Sequence, residues 1–76
     1  MVSIKVNGKI IAVSDTVFRA MSNLCRTMAE YLGVRNENMI ELGEGIIYMP
    51  WSDSAKAEVV YNNEKFDIFI TYIKEV

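Results

Sequence analysis

Cys25 is the single thiol in a chain of 76 residues that contains no histidine. A thiolate becomes a useful nucleophile when a cation, a helix N-terminus or a basic partner lowers its pKa. Cys25 instead lies between Leu24 and Met28 on the apolar arc of a helical pattern, where burial makes a thiol inert, and the sequence predicts a packing role for it. Ser52, Asp53 and Ser54 combine hydroxyl and carboxylate groups, yet no histidine or suitably spaced lysine is there to activate either serine, so a turn or a helix cap is expected. Glu41, Glu44, Asp53, Glu58 and Asp67 are the acids that could gather round a hard cation. Their spacing lacks the alternating acid-then-glycine loop that calcium requires, and a solvated acidic rim is expected. With a lone cysteine no internal disulfide or thiolate metal cage can form. The reading is therefore not an enzyme, with no catalytic residues, no cofactor and no metal.

Binding chemistry leaves more to work with. Arg19 and Arg26, seven apart with Ser22 and Asn23 between them, form a short basic stripe. Nucleic-acid binders draw their affinity chiefly from cation contacts to phosphates and carry a larger basic excess than this chain, whose formal charge is −2. Nucleic acid is accordingly disfavoured as a partner; a small nucleic-acid-binding domain using Arg19, Arg26, Lys5 and Lys9 is the alternative. Charge is unevenly spread: residues 1–36 hold five basic and two acidic side chains, residues 37–76 three and eight. Gly43 to Gly45 lacks the strand, glycine spacing and following helix of a phosphate cradle and reads as a turn. The stretch "YMPWSDSAK" contains the only proline and the only tryptophan. Pro50 cannot donate to a sheet ladder, so the chain must leave the sheet near it, placing Trp51 at a strand exit either as a lid on the core or as an interface anchor.

These side chains need elements to position them. Apolar residues make up 51% of the chain and charged residues 24%, enough apolar surface to fold, and the length suits a single small domain over 1–76. No apolar run approaches the ~20 residues of a bilayer span. The opening "MVSIKVNGK" alternates apolar and polar residues and lacks the layout of a secretory signal, which points to a cytoplasmic protein with no membrane partner. Around Asn7 and Gly8, "VSIKV" and "KIIAV" form a type I′ hairpin, with Val6 opposite Lys9, Ile4 opposite Ile11 and Val2 opposite Val13. The period then changes to about 3.6. One amphipathic helix follows, with Val17, Phe18, Ala20, Met21, Leu24, Cys25, Met28, Ala29, Tyr31 and Leu32 on its apolar half, Ser14 or Asp15 as cap and Gly33 past its end.

"NMIELGEGIIYMP" reads as two short strands around the glycine-flanked turn, with Ile40, Leu42, Ile46 and Tyr48 on one face. "AEVVYNNEKFDIFITYIK" reads as a hairpin turning at "NNEK", with Ala57, Val59, Tyr61, Phe66, Ile68, Ile70 and Tyr72 inward; a short helix over 53–61 competes for its first half. The fold class is α+β, one amphipathic helix packed on a largely antiparallel β-sheet. This order of hairpin, helix and further strand pairs is β-grasp-like, similar in outline to ubiquitin-like modules, although the ending "IKEV" lacks the diglycine tail that ubiquitin and the sulfur carriers use. The likeness implies no function.

Ile10, Met39, Ile47, Met49, Val60, Phe69 and Ile73 fall on the face away from the helix. One helix is ~10 Å wide, whereas five or six strands at ~4.8 Å spacing span more than 20 Å, so it cannot cover both faces. Either the sheet closes into a barrel or another chain covers the remainder. The sequence thus predicts a non-enzymatic, small protein-binding module that occupies a protein surface, an inhibitor or adaptor of the kind viruses and mobile elements encode. Its partner is another protein or itself, as a homodimer, and its contact residues are Trp51, Asp53, Ile47, Met49 and Phe69.

Overall fold

A computed structural model describes residues 1–43, 47–49 and 54–73, with the backbone alone for 47–49. Strands β1 (Val2–Val6) and β2 (Lys9–Ser14) are followed by helices α1 (Val17–Ser22) and α2 (Leu24–Leu32), a 3₁₀ turn at Glu37–Met39, and strands β3 (Glu41–Leu42), β4 (Ile47–Met49), β5 (Ser54–Tyr61) and β6 (Glu64–Tyr72). The sheet order is β2-β1-β6-β5-β3, with β4 also on β5, and every pairing is antiparallel. Hairpin, helical layer and further strands thus stand in the α+β arrangement the sequence predicts. The sheet is open, so barrel closure does not consume its second face.

Both tight turns follow from residues that tolerate positive φ: Asn7 (49°) and Gly8 (88°) in the first hairpin, Asn62 (54°) and Asn63 (65°) in the last. The second turn fixes β5 as a strand through Tyr61 and excludes the competing helix over 53–61. Val2, Ile4 and Val6 of β1, Ala55, Ala57 and Val59 of β5, and Phe66, Ile68 and Ile70 of β6 alternate onto one face. There they meet Val17, Ala20, Leu24, Met28 and Ala29 from the helices.

Several local expectations need correction. The first hairpin carries a bulge: Ile4 stands opposite Ala12 and Val2 opposite Ser14, because Ile11 is an extra residue that packs, half-buried, against the core. The bulge turns Val13 to the open face opposite Ser3. The helix is two helices broken at Asn23, whose backbone (φ −106°, ψ 14°) leaves helical geometry; side chains such as Asn and Ser compete for backbone hydrogen bonds. Six residues present only a narrow stripe, Val17 and Ala20, so Phe18 falls outside it and is 76% exposed. Thr16, not Ser14 or Asp15, caps the first helix, its Oγ1 accepting the Arg19 N–H at 3.1 Å, while Gly33 ends the second at φ 73° as expected. Finally, β3 and β4 do not pair with each other. Both pair antiparallel with β5, along the same edge, and Leu42 is exposed there. Met39 lies in the exposed 3₁₀ turn rather than on the sheet, and Tyr72, in register with Val2, is exposed at the sheet's end.

Candidate interaction surface

The face of the sheet away from the helices is built in rows across the strands. In the first row, Val13 stands opposite Ser3, and Ser3 opposite Thr71. Ser3 and Ser54 are buried there despite their polarity, with the Ser3 and Thr71 hydroxyls 3.5 Å apart. The second row runs Ile10, Lys5, Phe69, Lys56 and, by backbone register, Ile47. Phe69 is half-buried with a lysine on either side, and the Lys56 Nζ stands 5.7 Å from its ring centroid, within cation–π range. Ile10 and Val13 are 56% and 55% exposed at the β2 edge.

In the third row Asp67 stands directly opposite Glu58. Two like charges facing each other across strands destabilise a sheet. Their backbones are held firmly nonetheless. Asn7 donates its N–H to the Asp67 carbonyl at 2.9 Å and accepts the Asp67 N–H on Oδ1 at 3.0 Å; Gly43 donates to the Glu58 carbonyl at 2.7 Å. A Cβ at Gly43 would lie 2.6 Å from Glu58 Oε1, so only glycine leaves that carboxylate its place. The fourth row sets Lys65 opposite Val60 and Val60 opposite Glu41. Among the described residues the ion pairs are Asp15–Arg19 and Arg26–Glu30, both on the helical side, so neither the lysines nor the acids of the open face join one.

Of the five contact residues read from the sequence, Phe69 sits at the centre of this face. Ile47 and Met49 are in β4, their backbones in register with Lys56 and Ser54. Trp51 and Asp53 lie outside the described residues. Lys5, Lys56, Asp67 and Glu58 are not among the expected contacts, although drawing the last hairpin's register from its Asn62–Asn63 turn sets Lys56 beside Phe69 and Glu58 against Asp67. The four cations of the nucleic-acid alternative divide: Arg19 and Arg26 are on the helices, each with a carboxylate four residues away, Lys9 is at the hairpin end, and Lys5 is on the open face.

On the helical side, Cys25 is half-buried rather than fully enclosed, its Sγ 4.0 Å from the Ile40 carbonyl. It lines a shallow groove with Ser22, Asn23, Arg26, Glu37, Asn38 and Ile40. Burial first, and the nearby Glu37 carboxylate second, push its pKa up, the opposite of what a nucleophile needs. Among the described residues no three carboxylate or thiol groups come together as metal ligands, and no helix is long and apolar enough to cross a membrane. Comparison of the chain with protein-family models, with curated proteins and with solved structures finds no match.

Proposed function

We propose that the protein is a non-enzymatic binding module that works by laying the open face of its sheet against a protein surface. The observation that supports this is the row centred on Phe69: an aromatic ring between Lys5 and Lys56, continued by exposed Ile10, on a face that the helical layer leaves bare. Aromatic anchors ringed by polar side chains are the usual concentration points of binding energy. The two sheet edges are poorer templates for strand addition. β2 carries the bulge at Ile11 and the opposite edge is formed by the two short strands β3 and β4, both features that blunt edge pairing. Its role is that of an inhibitor or adaptor, and a cytoplasmic setting agrees with its free thiol.

The test is affinity capture from the native cell with two baits, the wild-type chain and Phe69→Lys, each checked for folding by circular dichroism. A specific protein retained by the first bait and lost from the second supports the reading. Identical retention by both would move the contact elsewhere on the molecule.

A further inference from the structure

Resting on the binding-module reading, the charge rows of the open face point to its partner. We infer that this face docks on a second copy of the chain, face to face about a two-fold axis in the plane of the sheet. The second row is cationic, with Lys5 and Lys56 on either side of Phe69, and the third is anionic, with Asp67 opposite Glu58. A two-fold axis running between these rows, across the strands, exchanges them. Because such an axis keeps each residue in its own strand column, it sets Lys56 of each copy over Glu58 of the other and Phe69 over Asp67, twice per dimer. The face is thus complementary to itself, and the second copy's ammonium groups offset a like-charge opposition that no ion pair among the described residues meets. The opposite arrangement, a two-fold axis along the strands, sets acid over acid and is rejected by the same charges. Five strands at ~4.8 Å and about eight residues at ~3.3 Å give a face of roughly 24 by 26 Å, or about 600 Å² per copy. A total near 1,200 Å² lies at the lower end of specific interfaces and suits micromolar rather than nanomolar association.

The experiment is sedimentation velocity from about 5 to 200 μM at low salt on the wild type, Lys56→Glu, Glu58→Lys, and an equimolar mixture of the two variants. Lys56 is exposed and Glu58 half-buried, and circular dichroism checks that each variant is folded. The wild type should dimerise, and each reversal alone should weaken dimerisation at least tenfold, because it places like charges across the seam at both symmetry-related contacts. The mixture should recover dimers. In a mixed pair the carboxylate introduced by Lys56→Glu faces the ammonium introduced by Glu58→Lys, and the second contact keeps the native Glu58 over the native Lys56. A wild type monomeric throughout, or a mixture no more associated than its components, overturns the self-docking inference. The binding-module reading fails separately, when Phe69→Lys leaves capture of a different protein unchanged.

Discussion

The two faces of this sheet are built from the same strands and differ in almost every physical respect. On the covered face, β1, β5 and β6 contribute nine side chains that are all buried and all apolar, closed over by the helices. On the open face the same strands alternate lysine, phenylalanine, acid and small hydroxyl, and the apolar residues there are half-buried or exposed. A period of two makes this division unavoidable, since each strand sends neighbouring residues to opposite sides. The covered face spends its residues on cohesion. The open face carries two features that an isolated sheet has no use for, a half-buried aromatic ring among cations and a pair of acids set against each other.

Adjacent residues of β6 test the division most severely. Ile70 is fully buried and Phe69, next to it, is half-buried on the other side. Ile70→Ala should cost about 3 kcal/mol, the transfer and cavity cost of deleting a buried aliphatic side chain, whereas Phe69→Ala should cost about 1 kcal/mol or less. Urea unfolding of the two variants reads the contrast directly. Equal losses would mean that the open face is part of the folding core.

Cys25 sharpens the description of the helical side. Alkylation of its thiol in the native state should be at least about tenfold slower than after denaturation, as expected for a partly buried group with few thiolate molecules at neutral pH. Because its pKa is raised, by burial first and Glu37 second, the native rate should go on climbing with pH beyond the range in which a free cysteine levels off. Holding the thiol protonated favours the folded state up to the ordinary thiol range. That contribution is lost as pH rises through the raised folded value. A native rate that levels off early would place the thiol in solvent.

The smallest effect is a gain. Asp67→Lys removes the opposition to Glu58 and substitutes an attractive cross-strand pair, so the folded monomer should become more stable by about 0.5 kcal/mol. Thermal unfolding at low salt and at high salt should show the gain shrinking as charges are screened. Together with weakened self-association, this would separate the stability of the fold from the use of its open face in a single variant. A loss of stability would show that the acidic pair is neutralised within the chain.

Much of this arrangement can be read from the sequence because turn chemistry and alternation agree. Asn7–Gly8 and Asn62–Asn63 fix two hairpins, and the apolar set of the last hairpin falls where the pattern puts it, with Tyr72 the exception at the sheet's end. Other features leave weaker traces. The 3.6-residue period runs through Asn23 without a break, so two helices look like one. The pair of isoleucines at Ile10 and Ile11 fits either alternation, which hides the bulge. Gly43 and Gly45 announce a reversal, and the sequence gives no sign that β3 and β4 would each pair with β5 rather than with each other. Phe69 is legible as an open-face residue because it is apolar at an outward position of an alternating strand. The charge rows beside it become visible only when cross-strand neighbours are drawn, since no residue among them is unusual in its own strand.

Whether the open face is where this protein meets its partner is tested most directly by amide chemical shifts followed as protein concentration rises. Self-docking through this face predicts concentration-dependent shifts at Lys5, Lys56, Glu58, Asp67 and Phe69, with α1 and α2 unmoved. Shifts centred on Phe18, Arg19 and Arg26, or confined to the β2 edge, would contradict it.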